Sequence, residues 1–219
     1  MKHAITPLVL STATFGLMLG VPQNAQASGL IRNVTATTNL VGATTSSNLL
    51  FTTNGAGLPL GTPSLTGTHE ASTGTNAWRS ANNFPSSTGV FEFAFNRIYN
   101  LAGFSFWNSG GGTVAADVGI NAVKIEYRLG TGGTWTTLSG APSSFAKGAS
   151  SGNVAVQQFS FTPVLATNVR FSNMTNQGGS GSNNRIGFSE IQFRSIPEPS
   201  STLALLALGL AGVGLKKRI

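Results

Sequence analysis

The sequence predicts an all-β fold, a two-sheet antiparallel β-sandwich, and three observations carry that expectation. Between its two ends the chain is rich in Ser, Thr, Asn and Gly, with islands of Val, Ile and Phe and few charges. That is the composition of short half-buried strands joined by turn-forming loops. Several stretches alternate apolar and polar residues, the period of a strand with one packed face. No amphipathic helix of any length is legible. Many short antiparallel strands default to two packed sheets.

The clearest strand is 123–129, where Val123, Ile125, Tyr127 and Leu129 share one face and Lys124, Glu126 and Arg128 the other. The first face is expected to pack and the second to be wet. Residues 130–133 then turn and 135–138, Trp-Thr-Thr-Leu, return as a hairpin partner. Residues 90–99 set Phe91, Phe93 and Phe95 against Glu92, Ala94 and Asn96, and 102–107 reads as a second aromatic strand after a short connection. Residues 154–161, 168–172 and 187–193 complete the set, with Pro163 ending one strand and 178–184 forming a long loop. Residues 28–89 are the least legible, because Thr, Asn and Ser there fit edge strands and loops equally well. There is no internal repeat.

Both ends read as addresses rather than as parts of the fold. Lys2 and His3 precede an apolar run from Ile5 to Val21, and Ala25-Gln26-Ala27 supplies a small-x-small cleavage site, so residues 1–27 read as a signal peptide. At the other end, Pro197-Glu198-Pro199 is followed by an apolar segment from Leu203 to Leu215 and by Lys216-Lys217-Arg218. As a helix that segment rises only about 20 Å, whereas a span needs roughly 20 residues, which makes it marginal as a permanent anchor and better suited to a transient hold. This tail, residues 196–219, resembles the PEP-CTERM sorting signal of Gram-negative bacteria, with Pro197, Glu198 and Pro199 as its motif. The resemblance implies export, processing by an exosortase, a transmembrane helix before processing, and delivery to the cell envelope, cell surface or extracellular matrix. An ordinary single-span anchor is the alternative, and it also exports the domain. The body expected to fold is 28–195.

Removing the ends changes the charge argument. Nine cations then face five acids, Glu70, Glu92, Asp117, Glu126 and Glu190. The cations are scattered singly, without the stripe that tracks a nucleic-acid backbone, so no nucleic-acid partner is expected. With no Cys, an exported body must rely on its core, and thiolate chemistry is excluded.

The order of segments also resembles a discoidin, or coagulation-factor type C, domain of the galactose-binding-like jelly rolls. Four pieces carry the likeness: Thr75-Asn76-Ala77-Trp78-Arg79-Ser80; the stretch 91–95 followed by 98–107; the hairpin 123–127 with 133–138; and the closing pair 169–171 and 187–193. The resemblance implies binding rather than catalysis, with glycans, phospholipid head groups or proteins held by loops. It also implies a structural calcium at positions matching Asn54, Thr75 and Glu190. Asn54 stands where a carboxylate is often found, and Glu190 alone supplies a negative charge. The competing reading is a hydrogen-bonded Asn turn beside a Glu that pins a strand.

Reactive groups are few. The body holds one His (His69) and one Asp (Asp117), and no Gly-x-Ser-x-Gly elbow surrounds any Ser. Glu92 and Glu126, the carboxylates a glycosidase would need, fall on strand faces expected to be solvated. The Gly-rich runs 110–112 and 178–181 read as loops, since no helix follows them. Exposed aromatics are the better candidates, so Trp78, Arg79, Arg97, Tyr99 and Trp107 are the expected ligand-binding residues, although a Trp in a small β domain is more often core. The reading is a non-catalytic exported protein that binds carbohydrate or exopolysaccharide. Its alternative is a structural surface or biofilm matrix protein without a discrete ligand site.

Overall fold

The computed structural model describes residues 29–85 and 88–196. The expected signal helix and C-terminal transmembrane helix lie outside the described residues. Among those described, no helix is long and apolar enough to cross a membrane.

Eight strands form the body: β1 (Gly29–Leu30), β2 (Thr35–Thr38), β3 (Trp78–Arg79), β4 (Phe91–Asn108), β5 (Lys124–Arg128), β6 (Thr136–Thr137), β7 (Gln157–Ser172) and β8 (Gly187–Ser195). Every strand pair is antiparallel, in the order β1-β8-β4-β7-β5-β6, with β2 also on β4 and β3 also on β8. The hairpin expected at 123–138 is β5 and β6, with Glu126 opposite Thr137.

Two long strands build both layers. The first part of β4, from Phe91 to Ala94, lies between β2 and the end of β7, with Phe93 opposite Ala36 and Val169. Its last part lies between the start of β7 and β8, with Phe104 opposite Phe159 and Phe193. Between them the register slips twice: residues 95–98 stand against Thr167 alone, and Ala102 stands against 161–163. Such bulges bend a strand, and here they fold β4 over itself. Phe93 therefore meets Phe193 at 5.4 Å although the register partner of Phe193 is Phe104.

Two expectations are corrected at this point. Residues 102–107 are not a separate strand but the continuation of β4, and 154–161 and 168–172 are largely merged into β7. Pro163 does not end a strand; it sits in the slipped stretch, where no ladder N–H is required of it. A third correction is α1 (Thr113–Asp117), a short helix directly after the glycines at 110–112.

The core between the layers is aromatic. Phe91, Phe93, Phe104, Phe106, Phe171, Phe188 and Phe193 are all buried, mostly in edge-on or tilted contacts, such as Phe91 to Phe188 at 5.1 Å. The outer face of the β8 layer is covered too, by the segment running from about residue 49 to 72. Ser105 Oγ donates to Leu65 O at 2.7 Å, Trp107 Nε1 to Gly67 O at 3.0 Å, and Gln192 Nε2 to Thr53 O at 3.0 Å. That cover explains why β8 is buried from Gly187 to Phe193 with no alternation.

Candidate functional site

Three places collect the chemistry of the body. The first is the contact between β8 and its covering segment. Glu190 is fully buried; its Oε1 accepts from Gly55 N at 3.1 Å and from Gln192 Nε2, while its Oε2 has no partner. Burial pushes this carboxyl up to about 9, against the opposing hydrogen bonds from Gln192 and Gly55. His69 is buried in the same covering segment, its ring against Gly57 and its Nδ1 2.7 Å from Glu70 O. A carbonyl only accepts, so Nδ1 carries the proton and Nε2 presents a lone pair, which is unpartnered. Burial lowers the His69 pKa, against the backbone carbonyls of Glu70 and Ala56 that raise it.

Of the residues expected to hold calcium, the structure brings Glu190 to the Asn54–Gly55 turn. It does not bring the oxygens. Asn54 Oδ1 accepts from Ala56 N at 2.9 Å, and Thr75 is exposed with its Oγ1 against Thr73 Oγ1 at 3.1 Å. Calcium takes six to eight oxygens, and among the described residues no three His, Cys, Asp or Glu gather. Of these three side chains only Glu190 Oε2 is without a hydrogen-bond partner, so they do not by themselves supply the oxygen set the ion takes, and Glu190 as it stands is a neutral acid pinning the covering segment to β8.

The second place is the outer face of the β5 layer, expected to be wet. Glu126 is instead buried, its side chain 5% exposed, with Arg170 Nε at 2.7 Å and Lys124 Nζ at 2.8 Å. Burial alone would raise its pKa, but the hydrogen bonds from Arg170, Lys124 and Ser172 and the Arg170 charge hold it down at about 2. Glu92 is paired with Arg128 at 2.5 Å. Half-buried Trp135 packs beneath both guanidiniums, Arg128 at 4.5 Å and Arg170 at 4.4 Å from its ring centre. The long side chains of neighbouring strands close over Glu126, which alternation within one strand does not reveal. Both carboxylates a glycosidase would have needed are tied up in ion pairs.

The third place is a notch. The edge of β4 is taken by β2 up to Ala94 and by β8 from Leu101 onward, and the chain crosses from β1 to β2 between them. The gap is a cavity of about 620 Å³ lined by Arg32, Arg97, Ile98, Tyr99, Asn100 and Ile196, among others. Arg97 lies over the Tyr99 ring at 4.8 Å, Tyr99 Oη donates to Asn96 Oδ1 at 3.0 Å, and Ile98 is 54% exposed.

The predicted ligand residues thus separate. Arg97 and Tyr99 are together in the notch. Trp78 is 1% exposed with its ring edge on Phe91, and Trp107 is 0% exposed beside Leu58 and Val154. Neither indole offers a face to a sugar, because the second layer and the covering segment close over them. Arg79 and the buried Trp78 both line a separate small cavity of about 110 Å³, with Thr45, Ser72 and Thr73. Sequence patterning does not reach Arg32 and Asn100; Arg32 lies in the stretch without periodicity, and only the crossing from β1 to β2 brings it to Arg97.

The fold has solved counterparts. CpGH89CBM32-5 from Clostridium perfringens, in complex with GalNAc-β-1,3-galactose, is 10% identical, with a TM-score of 0.50 over 75% of this chain and 99% of that one. The family 32 CBM of C. perfringens NanJ in complex with galactose is 11% identical, with a TM-score of 0.47 over 77% of this chain and all of that one. The F5/8 type C domain of a Bacteroides fragilis protein is 14% identical, with a TM-score of 0.46 over 78% and 97%. At such identities the likeness speaks for the fold alone. No curated protein matches the chain. The body is an antiparallel β-sandwich similar in fold to a solved carbohydrate-binding module, and residues 195–218 match the PEP-CTERM protein-sorting motif.

Proposed function

We propose that this is an exported, non-catalytic carbohydrate-binding protein, sorted through its C-terminal motif by an exosortase, and that the notch is its binding surface. The observation that carries the reading is the notch itself, whose volume lies in the range of small-ligand sites. It offers the partly exposed Tyr99 ring, whose face a sugar reaches once the exposed Arg97 side chain that lies over it swings aside, and Arg32, Arg97 and Asn100 as hydrogen-bonding groups for hydroxyls and acidic substituents. The ion-paired state of Glu92 and Glu126 supports a binding rather than a hydrolytic role, and the solved module of similar fold that holds GalNAc-β-1,3-galactose supports the ligand class. The sorting motif supports export to the envelope or surface, where extracellular polysaccharide is the fitting partner.

The test is titration calorimetry of the protein, freed of its tail, against neutral and acidic oligosaccharides. Arg97→Ala and Tyr99→Ala should each weaken the best ligand at least tenfold, which is about 1.4 kcal/mol. Tyr99 also packs on Phe95 at 5.9 Å, so each variant is first checked by melting. Saturable binding that both variants leave unchanged would place the site elsewhere, and absence of binding to any glycan would remove the function.

A further inference from the structure

We propose that the notch is also the docking site of the chain's own sorting motif, with the Glu198 carboxylate seated between the Arg32 and Arg97 guanidiniums. The last described residue, Ile196, already lines the notch, and its N–H donates to Asn100 O at 3.0 Å. Ser195 stands opposite Leu101, so the chain is running antiparallel along the edge of β4 as it leaves the described body. Pro197 and Pro199 favour an extended course and donate no backbone hydrogen bond, as suits a segment lying on an edge rather than adding a strand.

Charge complementarity selects Glu198. The ionisable groups lining the notch are Arg32, Arg97 and Tyr99, with no carboxylate among them. Among the described residues neither guanidinium forms an ion pair, while Glu92, Asp117 and Glu126 all do. Glu198 is the one acid of the tail and lies two residues beyond the notch wall. Docking does not depend on the glycan reading. Its consequence does: while the tail is seated, the sugar surface is filled, and displacing the tail frees it.

The experiment follows the carboxyl carbon of Glu198 by NMR in the full chain, held in zwitterionic micelles, as pH is varied. Docking between two cations lowers its pKa by at least one unit from the ordinary value of about 4.3, and Arg32→Gln with Arg97→Gln restores the ordinary value. Both side chains are exposed, so the doubly substituted protein folds, which its melting curve checks. A Glu198 that titrates normally in the unaltered chain overturns the proposal, as does a lowered pKa that the double substitution leaves in place. If Arg97 variants abolish glycan binding while Glu198 titrates normally, the notch is a sugar site only. If Glu198 titrates low and no glycan binds, docking stands and the glycan reading falls. Where both hold, removing the tail tightens glycan binding at least fivefold, since the apparent constant is divided by the open fraction.

Discussion

The substitution Glu190→Gln tests whether the buried carboxyl is a neutral acid or a metal ligand, and the two answers have opposite signs. In the folded protein the group is held at about 9, while in the unfolded chain it titrates near 4.5. Between those values the folded state binds a proton that the unfolded state has lost, so stability falls as pH rises, by at most about 1.4 kcal/mol per unit. The amide oxygen of the variant would accept the same hydrogen bonds from Gly55 and Gln192 without titrating. The two proteins should therefore be close in stability near pH 5, and the variant should lead by about 3 kcal/mol at pH 7. Other groups cancel in the difference. His69, held below its ordinary value, costs stability only as pH falls below about 6.5, and it is present in both proteins. Glu126 titrates between about 4.5 and 2, below the window. Urea unfolding of both proteins at pH 5, 6, 7 and 8, in chelator, gives the difference directly. Parallel stability curves would refute the neutral acid. A wild-type advantage that grows with pH and with added calcium would restore the metal, because an ion held by ionised Glu190 stabilises the native state by mass action.

Other substitutions probe the remaining contacts. Glu126→Gln should cost roughly 1–3 kcal/mol at neutral pH by leaving Arg170 and Lys124 without their partner, and the gap to wild type should close as pH falls from about 4.5 to 2 in acid-unfolding curves. Gly57→Ala should lower the melting temperature, since Gly57 has φ +85° and its new Cβ would stand 2.4 Å from His69 Cε1. Adding His69→Ala should recover part of that loss. Phe93→Ala, which empties the contacts to Phe171, Phe188 and Phe193, should cost about 3–5 kcal/mol in chemical denaturation.

What the sequence revealed follows from which forces are local. Alternation exposed the Phe91, Phe93 and Phe95 face and the 123–138 hairpin, because side chains two residues apart share a face whatever lies beyond. It could not show that β4 and β7 are single strands, since the slips at 95–98 and 161–163 interrupt the period and carry the Pro and polar residues that otherwise mark a turn. Nor could it show that Trp107 and Glu190 are buried on the outward side of their layer. That burial comes from a covering segment rich in Thr, Gly and Pro whose contacts to the sheet are long-range, such as Gly67 O to Trp107 Nε1. Half of the notch was legible, as Arg97 and Tyr99 flanking an expected turn, and Arg32 was not.

The notch owes its chemistry to the accounting of charge elsewhere. The body has few acids, and the structure commits nearly all of them internally: Glu92, Asp117 and Glu126 to ion pairs, Glu190 to a buried neutral pin. What is left at the strand hand-off is cationic with an aromatic edge, so any occupant, sugar or sorting motif, is favoured by negative charge. Arg32 and Arg97 are exposed, and their attraction is screened by salt over a length of about 10 Å at 0.1 M. Binding of an acidic glycan to the tail-free protein should therefore weaken severalfold between roughly 50 and 500 mM NaCl, whereas a neutral glycan stacked on Tyr99 should bind nearly unchanged. Equal salt dependence for the two would show that the guanidiniums do not select the ligand, and would shift the explanation from charge to the shape of the notch.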